Sequence, residues 1–375
     1  MFTEIYHKCF DDIKSEKRSE NFNKSFEKII TSNAAITIED VAEVLYSAIS
    51  DESIKKKIIE TSSSIRNTKF HNQLSIIIPQ YHSSRCIDNC KYCGFRESNS
   101  EMLRVILEDD DFEKEVNLLL DWGYRCIEFV YATDPFFTPE VIANRVLKAK
   151  QSAKNRNLNL KVGLNSNSFN VDGYKTLKQH DLDFMVLWIE TYTEKYKDWH
   201  PKDTPKADFM FCLDTYDRVI QGGLEKYGLG ILFGLGYWVW DVLMLMMHGL
   251  YLREKYGIDP YIIGIPRLKQ AMGLKVEKSP WIIDDENYEF ICFLYKLIFP
   301  NTKLFINTRE NFEDNTHLIS GGGDLFTIDC GTFPGAYLNP KIVVNGFEQF
   351  HTQYYEREKA IQSLTIKGFV PEFNW

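Results

Sequence analysis

Three cysteines, Cys86, Cys90 and Cys93, stand four and three residues apart in the segment Arg85-Cys86-Ile87-Asp88-Asn89-Cys90-Lys91-Tyr92-Cys93-Gly94-Phe95. A tight loop of this kind can wrap three thiolates around a cuboidal iron–sulfur cluster. A [4Fe–4S] cluster normally takes four cysteines. With three, one iron stays open, which is what reductive cleavage of S-adenosylmethionine (SAM) requires. A structural zinc site needs four ligands, and no fourth Cys or His lies close by; His71 and His82 precede the loop, on the strand and its exit. A disulfide framework would leave one of the three unpaired.

The loop needs a strand to carry it, and Leu74-Ser75-Ile76-Ile77-Ile78-Pro79 reads as one that is buried. Beyond it, short apolar runs alternate with amphipathic stretches. Strands are expected at Ser75–Pro79, Cys126–Ala132, Lys161–Asn165, Phe184–Glu190, Gly228–Phe233, Tyr261–Ile265, Leu304–Thr308 and Leu325–Cys330. Helices are expected at Phe112–Gly123, Val141–Asn155, Phe209–Gly222, Trp238–Tyr256 and Asp285–Ile298. Eight strands with helices between them give the count of a (β/α)8 barrel of the TIM type. The alternative is an open doubly wound sheet, but no Gly-x-Gly-x-x-Gly opens a helix. Residues 1–70 read as a helical extension, 71–338 as the barrel and 339–375 as a C-terminal extension packed on it. In the first of these, Ser19 to Thr31 is charged and amphipathic. Thr37 and Asp40 make a near capping box, and Val41, Val44, Leu45 and Ala48 form a core stripe.

Composition narrows the function. The 375 residues carry a formal net charge of −9 with no basic block, which argues against a nucleic-acid partner. Cys9, Cys126, Cys212 and Cys292 read as buried free thiols. The start of the chain lacks the basic and apolar regions of a signal peptide. The most apolar run, Val239 to Leu252, contains Asp241 and His248 and is too short to span a bilayer. A cytoplasmic protein with no membrane partner is expected, in an anaerobic setting.

In a barrel the chemistry collects at the C-terminal ends of the strands. Asp134 follows the second strand, where a carboxylate suits the ammonium of SAM. Glu190 ends the fourth and suits ribose hydroxyls or the amine. Gly228 and Gly230 would let an adenine edge approach the backbone. Arg267 and Arg309 each follow a strand with a fork shaped for a carboxylate. The glycine-rich run Ser320 to Asp324 and the segment Asp329-Cys330-Gly331 to Tyr337 are expected over the barrel mouth.

Taken together, these motifs resemble the aromatic amino-acid lyase group of radical SAM enzymes, which includes tyrosine lyases and a tryptophan lyase. The resemblance runs from about Ile65 onward. It rests on the cysteine loop, Glu190-Thr191-Tyr192, Tyr196 to Pro201 with His200, and Asp217-Arg218. It continues through Gly228-Leu229-Gly230, Pro266-Arg267-Leu268, Thr308-Arg309-Glu310, Pro334-Gly335-Ala336-Tyr337 and Glu348-Gln349-Phe350. It implies that Cys86, Cys90 and Cys93 hold the [4Fe–4S] cluster, with Tyr92, Asp134, Glu190, Arg267, Gly228 and Gly230 around SAM. It also implies that flavodoxin or ferredoxin delivers the electron, and that a 5′-deoxyadenosyl radical takes hydrogen from an amine substrate before a carbon–carbon or carbon–nitrogen bond breaks.

Two departures from that group direct the expected substrate. Only Cys330 lies beyond residue 300, so a second, C-terminal cluster is not expected. Where the group places a serine beside the substrate carboxylate, this chain has Cys330, with Asp329 adjacent and Asp324 upstream. An acidic pocket disfavours a substrate carboxylate and suits a guanine-like donor edge. The expected catalytic set is therefore Cys330, Asp324, Asp329 and Arg309. The expected reaction is the cleavage of queuine to 7-aminomethyl-7-deazaguanine, in queuosine salvage. The alternatives are an aromatic amino-acid (tyrosine or tryptophan) lyase, and a non-catalytic iron–sulfur or zinc scaffold.

Overall fold

A computed structural model describes residues 1–7, 21–31, 36–273 and 279–375. Cys9 and the start of the expected Ser19–Thr31 helix lie outside them. The fold is organised around residues 73–83, which form one strand interrupted at Ile77: β1 (Gln73–Ile76) below and β2 (Ile78–Ser83) above. The other strands are β3 (Cys126–Tyr131), β4 (Lys161–Asn165), β5 (Phe184–Val186), β6 (Tyr227–Gly230), β7 (Ile262–Gly264), β8 (Lys303–Ile306), β9 (Leu325–Phe326) and β10 (Val370–Glu372). All neighbours pair in parallel, in the order β10-β1-β9-β8-β7-β6-β5-β4-β3-β2. Ile78 sits opposite Ile127 of β3, while Ser75 sits opposite Leu325 of β9. One continuous segment thus pairs with both β9 and β3, and the TIM-type α/β barrel closes across Ile77, with β10 added outside β1.

The barrel's lower interior is filled by Ile77, Cys126, Phe184, Val186, Ile262 and Leu325. These come from the closing segment, β3, β5, β7 and β9, the alternate-strand layering of such barrels. The strands' other faces and the surrounding helices make the larger core. Helix Trp238–Tyr256 is buried along most of its length and belongs to this outer layer. No helix among the described residues is long and apolar enough to cross a membrane. Helix Ile38–Ser50 starts with a full capping box, Thr37 and Asp40 each accepting from the other's backbone N–H, and it buries Val41, Val44, Leu45 and Ala48. Helix Glu52–Phe70 lies on helix Asp285–Ile298, where Ser62 Oγ donates to Phe293 O at 2.7 Å. Near the other end of the sequence, helix Arg357–Ile366 leads into β10, which extends the sheet beside β1.

The Ser320–Asp324 run does not cover the mouth. It ends helix Phe312–Gly321 and enters β9 from below. In a parallel barrel the upstream end of every strand faces away from the mouth, so Asp324 sits at the base. Its carboxylate accepts from Leu304 N–H at 2.7 Å and pairs with Lys296, and both side chains are fully buried. Breaking a buried pair from one side leaves an uncompensated charge. Asp324→Asn is therefore expected to cost about 3–5 kcal/mol, read as a lowered denaturation midpoint, with substrate KM unchanged. A KM change without a stability loss would return Asp324 to the site.

Candidate active site

The strands' C-terminal ends surround a cavity with about 1170 Å³ of empty space, its open mouth included. Cys86, Cys90 and Cys93 all line it. They lie on the loop that leaves β2, held against the end of β3 by Ile87 N–H donating to Thr133 O at 3.0 Å. Arg85 binds Asp134 through two nitrogens at 2.9 and 3.0 Å, and Ser83 Oγ adds a third donor at 2.8 Å. Asp134 is thereby saturated and does not line the cavity; it fastens the loop's entry.

Tyr92 lines the cavity and is locked by His200. His200 Nδ1 lies 2.7 Å from Tyr196 O, which can only accept, so Nδ1 carries the proton and Nε2 accepts from the Tyr92 hydroxyl at 2.8 Å. Burial holds His200 down to about 3, so it stays neutral. On the loop's other side lies the segment 346–350. Gly94 N–H donates to Gln349 O at 2.7 Å, and a Cβ at Gly94 would stand 2.6 Å from Glu348 O. The glycine after the last cysteine is thus required by close backbone approach. Gln349 accepts from Tyr81 Oη at 2.8 Å and points its amide nitrogen at Cys93 Sγ, 3.6 Å away.

The three cysteines fit a cluster. All seven described cysteines are free. Cys86, Cys90 and Cys93 lie on one loop and line one cavity wall, as the ligands of a shared cluster must. Burial pushes the Cys86 thiol up to about 12 and raises Cys90 and Cys93. A bound metal removes such protons outright. Near Cys90, Lys206 opposes the rise; its ammonium donates to Trp188 O at 2.9 Å and pairs with Glu190 at 3.4 Å.

The remaining expected residues divide. Glu190 lines the cavity, with a left-handed φ of 73°, a strained value away from glycine. Arg309 and Cys330 also line it. Arg309 stacks on Phe350 at 3.6 Å and donates to Arg267 O at 3.3 Å, which leaves most of its fork free among the described residues. Burial pushes Cys330 up to about 12. Gly228 and Gly230 do not reach the cavity wall. Their missing side chains make room for Val186 and Trp188, and Trp188 is what faces the cavity. Arg267 binds Glu310 at 2.9 Å, pairs with Asp285 and stacks on Tyr288, outside the cavity. Asp329 has a φ of 59° and accepts from Tyr124 Oη at 3.2 Å, with Arg357 at 3.7 Å. Neither Asp324 nor Asp329 lines the cavity. The carboxylates that do are Asp88, Glu128 and Glu190. Glu128 and Lys206 went unread in the sequence, and Asp88 and Gln349 were named there only within motifs, with no role; Glu128 was signalled by a lone charge inside the apolar run Cys126-Ile127-Glu128-Phe129-Val130.

The family model described as the Radical SAM superfamily matches residues 81–246, the cysteine loop included. The chain carries a radical SAM domain. It is an enzyme, with a [4Fe–4S] cluster and SAM as the cofactors of that domain. The radical SAM chain is similar to 2-iminoacetate synthase of Salmonella typhimurium, 26% identical over 344 residues, covering 90% of this chain and 87% of the relative. It is also similar to 2-iminoacetate synthase of Escherichia coli, 27% identical over 340 residues, covering 90% and 86%. Among solved structures, HydG, a maturase of the [FeFe]-hydrogenase, matches with a TM-score of 0.88 and 26% identity, covering 99% of this chain and 80% of HydG.

Hydrogen bonds to cluster sulfurs tune the potential of the radical SAM centre. Gln349→Leu removes one N–H donor aimed at Cys93. The expected result is a full iron load with a more negative reduction potential, read by an EPR-monitored redox titration. An unchanged potential would mean that the amide does not act on the sulfur.

Proposed function

We propose that this radical SAM enzyme is a lyase of the aromatic amino-acid lyase type, which fragments a small aromatic amine substrate. The observation that carries the reading is Arg309. It stands in the cavity wall opposite no carboxylate partner among the described residues, with one face on Phe350 and Cys330 beside it in the same lining. A guanidinium so held presents paired N–H donors to a substrate carboxylate. The similarity to the 2-iminoacetate synthases over 90% of the chain supports the same reading.

When bound, the cluster and SAM supply a one-electron cleavage whose product radical takes a hydrogen atom from the substrate. The chain's own residues do the rest. Cys86, Cys90 and Cys93 hold the cluster at the mouth. Lys206 and Glu190 form a cation–carboxylate pair beside it. Arg309 fixes the substrate's acidic end, and the segment 346–350 covers the loop and limits water at the radical. A low-potential carrier of the flavodoxin or ferredoxin class delivers the electron.

The queuine reading loses the premise that Asp324 and Asp329 face the substrate. It stays as the second reading because a different carboxylate, Glu128, does line the cavity. Anaerobic incubation of the reconstituted, reduced enzyme with SAM and L-tyrosine, L-tryptophan or queuine separates the two, with 5′-deoxyadenosine and fragments measured by mass spectrometry. Tyrosine or tryptophan is expected to stimulate SAM cleavage and to be fragmented; stimulation by queuine alone would overturn the amino-acid reading. A charge-assisted hydrogen bond contributes about 1.5–3 kcal/mol. Arg309→Leu is accordingly expected to raise the amino-acid KM on the order of 10- to 100-fold, and an unchanged KM would exclude Arg309 as the carboxylate anchor.

A further inference from the structure

Glu128 is an anomaly in its own strand. β3 runs through the barrel wall with Ile127, Phe129 and Tyr131 in the outer core. Its alternate residues face inward, and Cys126 belongs to the apolar plug that closes the barrel below. Glu128 is the next inward residue, directly above that plug, and lines the cavity at its closed end with 8% exposure. Among the described residues its carboxylate has one hydrogen-bond partner, Asn165 Nδ2 at 3.5 Å, the outer limit of a hydrogen bond. Burial pushes Glu128 up to about 7, a sign of how little the protein offers it. Thr327 faces the same cavity with a buried hydroxyl that has no partner among the described residues. Buried polar groups are nearly always satisfied, and leaving them unmet costs free energy. Two such groups in one cavity end mark a place that a ligand completes.

The ligand's character follows from the acceptor. In its ionised form the carboxylate only accepts, so the partner that would hold it ionised is an O–H or N–H donor. The reacting amine is not that partner. Glu128 lies three residues, about 10 Å of strand, below the end of β3, whereas the cysteine loop sits at that end. Glu128 therefore meets the part of the substrate farthest from the cluster. The wall around it is flat and apolar, with Trp188, Phe305 and Leu187, suited to an aromatic ring.

We infer that Glu128 is a specificity-determining residue that selects substrates whose aromatic ring carries a hydrogen-bond donor at its far edge: a phenol O–H, an indole N–H or the N–H pair of a guanine-like base. This rests on the lyase reading above and names the substrate class that the same cavity takes.

The experiment compares L-tyrosine, L-tryptophan, queuine and L-phenylalanine on wild-type enzyme and on Glu128→Leu and Glu128→Gln, each confirmed folded and iron-loaded. KM and kcat come from substrate-dependent 5′-deoxyadenosine formation. A site built to hydrogen-bond a donor rejects the analogue without it, here by roughly 100-fold or more. The wild type is thus expected to prefer a donor-bearing ring over phenylalanine by that margin. Glu128→Leu should raise KM for the donor-bearing substrate by about 100-fold, with phenylalanine unchanged or improved. Glu128→Gln, whose amide oxygen still accepts, should fall between. Equal KM values for tyrosine and phenylalanine, or a Glu128→Leu enzyme with wild-type discrimination, would overturn the role of Glu128 while the lyase reading stands. If no aromatic amine stimulates the wild type, both readings fall together.

Discussion

The whole structure depends on one strand that keeps two sets of partners. Residues 73–83 pair with β9 through their lower half and with β3 through their upper half. A parallel sheet has no satisfied edge until it closes, and here the closing element also carries the cysteine loop at its upper end. The loop's entry is placed by the strand that carries it and by Ile87 N–H donating to Thr133 O, and within the loop Cys93 N–H donates to Cys90 O. Asp134 then adds a bidentate tie from Arg85 to the end of β3. The cysteine loop is thus built on a strand paired on both sides.

Polar groups in this barrel are sorted by height. At the base, Lys296 and Asp324 neutralise one another in a fully buried pair. In the middle, the apolar plug excludes water. Above it, Glu128, Thr327 and Arg309 face a cavity with few protein partners of their own. At the mouth, Tyr92, His200, Gln349 and Gly94 form a fully bonded frame around the thiols. Satisfied groups hold the protein and unsatisfied ones await a ligand, a distinction that charge counting along the sequence does not make.

That distinction explains what could be read in advance. Helices Trp238–Tyr256 and Asp285–Ile298 were legible to the residue, because a long run of helix formers without proline is a local signal. The cysteine loop was legible because three ligands lie within eight residues. Strand-end residues were harder. Arg267 and Arg309 look equivalent in sequence, each a few residues past a strand. Glu310, next to Arg309, turns outward to bind Arg267 and Lys269, and Arg309 turns inward. The Arg267–Glu310 pairing, which spans 43 positions, separates the two arginines. Asp324 and Asp329 looked like neighbours of a substrate because they flank the last barrel strand. One lies below its start and the other turns toward Tyr124. Glu128 was hidden by the opposite habit of reading strand interiors as core.

The divided strand also sets an order of events in folding. Ile78 meets β3 across about 50 residues, whereas Ser75 meets β9 across about 250. Loop-closure entropy makes the longer closure costlier by about 1.5 kcal/mol, and contacts distant in sequence form late. The same late set includes Trp375, whose indole donates to Ile76 O at 2.9 Å and packs on the apolar plug. The cavity therefore gains its cysteine-bearing wall first and its closed end last.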